Sequence, residues 1–340
     1  MTGDVLLHGP VVSQARRDAG LPGARATHGL DFRPLLAASR RVVEGADLAI
    51  CQLETPLAKP GGPYSGYPTF QVPQDILPAL TDTGYDACTT ASNHSVDAGW
   101  TGLVRTVDAL DSAGLKHTGT FRTQREADTP LLLDANGVKV ALLNYAYGLN
   151  GLSEPAGRRY AVNLISVPAI LADAKAARRA GADVVLVALH AGNEYVQAPS
   201  AQQRAVVAAL TASPDVDLVY GHHVHVVQPF DRVNGKWVAY GLGNLIHNQA
   251  HSGNEPTRAE VAARFTFTER AAGGFAVSKA EYIPGSMSIG TPMRYVDLGA
   301  ALSNPSVPAA TKARYRAVQA KVVQAVTSLG ADEKGLVLGR

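Results

Sequence analysis

The run Val219-Tyr220-Gly221-His222-His223-Val224-His225-Val226-Val227 places three imidazoles within four positions at the end of an apolar stretch. Histidine is a common metal ligand, and an extended backbone would point His223 and His225 the same way. Other residues able to hold a cation follow other apolar runs. Asp4 stands at the start of the first strand, and Glu54 closes Gln52-Leu53-Glu54. Asn93-His94 follows Ala91-Ser92, and His190 ends Leu186-Val187-Ala188-Leu189-His190. Carboxylate and amide oxygens mixed with imidazole nitrogens suit Zn, Mn or Fe rather than Ca or Mg. A carboxylate shared by two such ions about 3.5–4 Å apart would create a bridging hydroxide, the nucleophile of many hydrolases. Each residue alone has a plainer reading as a strand end, a turn or a hydrogen-bonded core histidine. The metal reading rests on their ordered recurrence after strands.

The elements that would position these groups are legible from periodicity. Short Val/Leu/Ala-rich runs at 47–53, 86–90, 138–145, 183–190 and 216–220 read as buried strands. Between them, 99–113 puts Trp100, Leu103, Val104, Val107 and Leu110 on one helical face and stops at Gly114. A second helix spans 166–180, and a third begins at Ser200 with Gln203 three residues on, a capping-box spacing. A long amphipathic helix closes the chain at 308–329. Asn136-Gly137, Asn234-Gly235 and the segment 271–274 mark hairpin turns. Strand–helix alternation with added hairpins predicts an α/β fold of two packed sheets covered outside by helices, in one domain spanning 1–340. In such folds ligands gather at the carboxyl ends of strands, where the polar groups above would converge.

Composition narrows the partners. The chain is 46% hydrophobic and 18% charged, as expected for a globular protein. A net charge of +2 with no Lys/Arg tract gives no electrostatic footprint for nucleic acid. Cys51 and Cys88 sit within or beside apolar runs and read as buried free thiols. No stretch reaches transmembrane length, and no signal sequence precedes residues 3–7. The abrupt opening points to a processed or truncated form of a longer protein.

Six ordered motifs carry a family resemblance: Gly3-Asp4-Val5-Leu6-Leu7, the segment 47–57 around Gln52-Leu53-Glu54, Ser92-Asn93-His94-Ser95-Val96-Asp97, His190-Ala191-Gly192-Asn193-Glu194-Tyr195, Gly221-His222-His223-Val224-His225 and Tyr240-Gly241-Leu242-Gly243-Asn244. Together, over residues 3–285, they resemble the CapA family of bacterial capsule, or poly-γ-glutamate, biosynthesis proteins related to calcineurin-like metallophosphoesterases. The resemblance implies a four-layer α/β/β/α sandwich with one or two divalent metal ions at one edge. It would give Glu54 the bridging position, Asn93, His190 and His223 one metal shell, and Asp4 and His225 the other. His94 would act as general acid, with Asp97 and Glu194 as candidates for proton transfer or for orienting a ligand histidine.

The resemblance has departures. Leu6 stands where the phosphoesterase motif has histidine, Glu54 stands for its aspartate, and Ala191 for the family's usual tryptophan. One metal position is therefore expected to be weak, unless His8 folds back to supply a ligand. His222 is expected to back the site and His247 to line its pocket. The implied function is a metal-dependent hydrolase-like site acting on a peptide-like, polyglutamate or phosphorylated substrate. A peptide epimerase or amidase on the same fold is one alternative. A non-catalytic partner of a membrane capsule-synthesis complex is another. Full-length relatives imply an extracytoplasmic or membrane-associated location.

Overall fold

A computed structural model describes residues 1–249, 255–288 and 290–339. In chain order the strands are β1 (Asp4–Val5), β2 (Ile50–Leu53), β3 (Ala87–Thr89), β4 (Lys116–Thr118), β5 (Leu131–Ala135), β6 (Val138–Ala146), β7 (Val184–His190) and β8 (Leu218–His222). There follow β9 (Phe230–Val233), β10 (Lys236–Ala239), β11 (Asn244–Ile246), β12 (Ala259–Glu269), β13 (Phe275–Ser288), β14 (Arg294–Asp297) and β15 (Leu336–Leu338). The longer helices are α1 (Gly9–Asp18), α2 (Ile76–Thr83), α3 (Gly99–Ser112), α4 (Val167–Arg179), α5 (Ala201–Ala212) and α6 (Ala309–Thr327).

One sheet runs β11-β1-β2-β3-β4, with every pair parallel. A second runs β5-β6-β7-β8-β10-β9, parallel at its centre and closed on each edge by an antiparallel hairpin. Those hairpins turn at Asn136-Gly137 and Asn234-Gly235, where both asparagines take the left-handed backbone that such turns require.

Side-chain alternation along the strands builds the layers. Leu142, Leu186, Ala188, Leu218 and Tyr220 face inward against Ile50 and Ala87 of the first sheet. Their neighbours Leu143, Val185, Val187 and Val219 face outward against Ile170 and Ala174 of α4 and Val207 and Leu210 of α5. On the far side, Cys51 and Leu53 pack with Val11 of α1 and Leu77 and Leu80 of α2. The result is the expected order of helices, sheet, sheet, helices.

Two expectations need correction. The segment 261–283 does form a hairpin, but it belongs to a third sheet in which β13 pairs with β12, β14 and β15. Its inner residues, among them Val261, Ala280 and Tyr282, join Val322 and Val326 of α6 in the inter-sheet core. The cysteines are also not free thiols. Parallel register sets Cys51 and Cys88 directly opposite each other on β2 and β3, Cα atoms 4.5 Å apart, and they form a disulfide. No helix among the described residues is long and apolar enough to cross a membrane.

Candidate metal centre

The carboxyl ends of both sheets meet at one edge, and all the chemically active groups lie there. Asp4 lies in β1, Glu54 directly follows β2, Asn93, His94 and Asp97 occupy the loop after β3, and His190 ends β7. Glu194 lies in the loop beyond β7, while His223 and His225 follow β8. Close backbone approach makes the convergence possible. A β-carbon on Gly3 would fall 2.2 Å from the Gly243 carbonyl oxygen, so only glycine lets β1 sit this tightly beside the chain leading into β11. Asn144 of β6 reaches across the layers, its Oδ1 accepting from the Thr90 and Ala91 N–H groups at 3.0 and 2.6 Å. Ser92 Oγ donates to the Glu54 carbonyl at 2.5 Å, tying the two acid-bearing loops together.

Glu54 occupies the middle. Its Oε1 is 3.9 Å from His190 Nε2 and 3.9 Å from His225 Nε2. His190 Nε2 is 2.7 Å from Asn93 Oδ1. Asp4 Oδ2 lies 3.5 Å from His225 Nδ1 and accepts the His223 N–H at 3.2 Å, and Oδ1 lies 2.9 Å from His222 Nδ1. Ligand atoms of Asp4, Glu54 and His225 fall within 4.8 Å of one another, as do those of Glu194, His223 and His225.

Burial makes this cluster chemically informative. Both Glu54 carboxylate oxygens, His190 Nδ1 and His223 Nδ1 are enclosed without a hydrogen-bond partner. A buried carboxylate left this way costs several kcal/mol unless a proton or a cation compensates it. Oxygen and imidazole donors converging on orphaned atoms are what a divalent ion requires, so the residues present fit one.

The electrostatics agree. Burial pushes the Glu54 carboxyl up to about 8. Burial also pushes His223 down to about 3 and His190 well below its usual value, leaving both neutral and able to ligate. For Asp4 and His225 burial is outweighed. Contacts with His222 and His225 hold Asp4 well below the carboxylate range, and the charge of Glu54 with the Asp4 contact lifts His225 to about 9. His94 Nδ1 is 2.7 Å from Asp97 Oδ2, which also accepts the Phe70 N–H at 2.8 Å. Burial works against a charged His94, but Asp97 and Glu54 outweigh it and raise its pKa.

Some sequence expectations change. His223 and His225 do not sit on an extended strand, since β8 ends at His222 and both take left-handed φ values of 86° and 57°. Their rings are nevertheless neighbours, 6.1 Å between centroids. His8 is in neither of these clusters, and its Nδ1 accepts the Asn248 N–H at 3.2 Å. His247 does not line a pocket. It is fully buried, with Nε2 3.5 Å from Glu260 and Nδ1 accepting from the Gln249 N–H. The sequence reading missed Tyr147, Asn150 and the role of Asn244, whose Oδ1 lies 2.9 Å from His225 Nδ1. Tyr147 follows β6 directly and Asn150 lies in the same loop, so the strand-end rule that found His190 could have found them.

The family model described as bacterial capsule synthesis protein PGA_cap matches residues 1–249. The chain belongs to that family. Capsule biosynthesis protein CapA of Bacillus anthracis is 29% identical over 180 residues, covering 52% of this chain and 43% of the relative. PGA biosynthesis protein CapA of Bacillus subtilis is 26% identical over 210 residues, covering 62% and 54%. This PGA_cap chain thus spans about half the length of these curated relatives. Among solved structures, the calcineurin-like phosphoesterase YfkN of Bacillus subtilis aligns over 74% of each chain, at 17% identity and a TM-score of 0.40.

Proposed function

We propose that this PGA_cap chain is a metal-dependent hydrolase acting on a polymer, or polymer precursor, of capsule synthesis. The observation that supports the reading best is Glu54, a fully buried carboxylate with both oxygens unpartnered, midway between two imidazole nitrogens. In this reading Glu54 would serve two cation positions. Asn93, His190 and His223 would complete one, and Asp4 and His225 the other. Bound cations would supply Lewis-acid charge beside the scissile bond.

The chain's own residues do the rest. Asp97 engages His94 Nδ1, which leaves Nε2 to deliver a proton to the leaving group. Asn244 accepts from His225 Nδ1 and so turns Nε2 toward Glu54. Glu194, exposed at the rim, can take up a proton from an entering water. Because the relatives are named for capsule and PGA biosynthesis, the substrate belongs to that chemistry and the working partner is a polymer-synthesis complex.

Metal analysis of the purified protein, joined to a screen of phosphoesters and γ-glutamyl peptides, tests the reading. Stoichiometric metal and a hydrolytic activity lost in His223→Ala are expected. Full activity of an Asn93→Ala, His190→Ala double variant would sink it. Solvent deuterium entering a peptide Cα without cleavage would replace hydrolysis with epimerisation.

A further inference from the structure

We propose that Tyr147 and Tyr195 form a paired seat over the metal centre, and that the group they seat is a planar amide of a peptide-type chain. The inference rests on the hydrolase reading and deepens it by naming the bond class and the residues that choose it.

The two rings are partly open aromatic surfaces above buried histidines. Tyr147 is 39% exposed and Tyr195 41%, against 3% for both His223 and His225. Each ring lies over one of those histidines. Tyr147 is 4.5 Å from His223 and Tyr195 5.9 Å from His225, centroid to centroid and inclined by 40° and 35°.

Both rings are held in place by side-chain amides that continue to the centre. The Tyr147 hydroxyl donates to Asn150 Oδ1 at 3.2 Å, and the same oxygen accepts from Asn93 Nδ2 at 3.1 Å. The Tyr195 hydroxyl accepts from Gln249 Nε2 at 3.3 Å, Gln249 Oε1 accepts from Asn244 Nδ2 at 2.7 Å, and Asn244 meets His225. Two relays of the same kind thus join each ring to a different half of the centre.

The backbone is committed to this arrangement as well. Tyr195 holds φ at 64°, a left-handed value unfavourable for an aromatic residue, while its N–H donates to the Val224 carbonyl between His223 and His225. Asn150 is left-handed too, at 52°. Strain of this kind persists where the surroundings over-determine it, and it concentrates at ligand clamps. An exposed, immobilised ring pair has surface to offer and has already lost its rotamer freedom, the condition for cheap binding.

The ring faces and Glu194 select the occupant. The ion pairs of Asp4 and Glu54 among the described residues are all with histidine, and Glu194 brings a further carboxylate beside both tyrosines. Bound cations would offset these carboxylates, so phosphate is set apart by shape: it has no flat face to lay on the rings and no N–H to give Glu194. A neutral amide offers its flat face to the rings and its N–H to Glu194.

Tyr147→Ala, Tyr195→Ala and the corresponding Phe variants are compared with the parent in the metal-loaded protein. The probes are a γ-glutamyl dipeptide amide and inorganic phosphate. Each alanine variant is expected to weaken the amide about tenfold, and each Phe variant by less, since it keeps the ring face and loses the hydroxyl anchor. Metal content, melting temperature and phosphate binding are expected to stay unchanged. Unaltered amide binding in both alanine variants, or equal weakening of both probes, overturns the proposal. Turnover of phosphoesters with a KM indifferent to both tyrosines would also overturn it while leaving the hydrolase reading intact. A protein that binds the amide through the tyrosines yet hydrolyses nothing would overturn the hydrolase reading instead.

Discussion

Glu54 shows how one buried side chain can set the behaviour of a whole site. Burial raises its carboxyl and the neighbouring carboxylates raise His225, so the pair binds more protons in the folded metal-free protein than in the unfolded chain. The pair's contribution to the stability of the metal-free form is therefore full below about 4.5 and is lost as pH climbs to about 9. A cation needs the deprotonated groups, so its affinity rises over the same window. Melting curves with chelator and with metal should diverge as pH increases, and parallel curves would contradict this account. Glu54→Gln keeps the shape and removes the charge. Bound metal should drop sharply in this variant, while the metal-free protein melts no lower than the parent and gains most at high pH, about 1–3 kcal/mol. Equal metal content in parent and variant would remove Glu54 from the centre. At this scale the types of the residues that converge at the sheet edge were legible from their position after strands. The orientation of His223 and His225 was not, because it depends on left-handed backbone that a His-x-His spacing does not announce.

Single elements carry the site's geometry. The Ser200 hydroxyl accepts the Gln203 N–H at 3.1 Å and Gln203 Oε1 accepts the Ser200 N–H at 2.8 Å, the capping box expected from sequence. The structure adds that Gln203 is buried and donates to Gln228 Oε1 at 2.8 Å, and that Gln228 donates to the Val196 carbonyl at 2.9 Å. The first turn of α5 therefore holds the loop that carries Glu194 and Tyr195. Ser200→Ala should cost about 1 kcal/mol in chemical denaturation. Gln203→Ala should cost about 2 kcal/mol or more, because it strands the Gln228 amide. It should also open the 192–198 loop to limited proteolysis, and a loop as resistant as the parent's would show that the tether lies elsewhere. The apolar runs of β2, β3, β6, β7 and β8 announced themselves. β14 alternates buried with half-buried residues and two of the three residues of β15 are exposed, so neither offers a continuous apolar run.

At the scale of the molecule, the layer order followed from alternation, but contacts between distant segments did not. Cys51 and Cys88 illustrate the difference. Each looked like an ordinary buried thiol until parallel register set them side by side. Closing a loop of 37 residues stabilises a fold by roughly 3–4 kcal/mol through the unfolded chain. The Cys51→Ser, Cys88→Ser double variant should lose a comparable amount in denaturant titration, and thiol titration of the unfolded, unreduced parent should find no free sulfhydryl. Two reactive thiols would refute the pairing.

The position of β1 has a consequence for biosynthesis. Asp4 is flanked by Gln52 on one side and by Asn244 on the other. A chain emerging N-terminus first can zip its opening strand to β2 early, but the second flank arrives only after a further 192 residues. At ordinary elongation speeds that is roughly 10–40 s. Through that interval the nascent protein carries a half-paired strand and an acid without its histidines, which are translated almost as late. Cation capture should then mark the end of assembly, so a pulse-labelled chain arrested before residue 220 should retain no metal, whereas one released past residue 250 should.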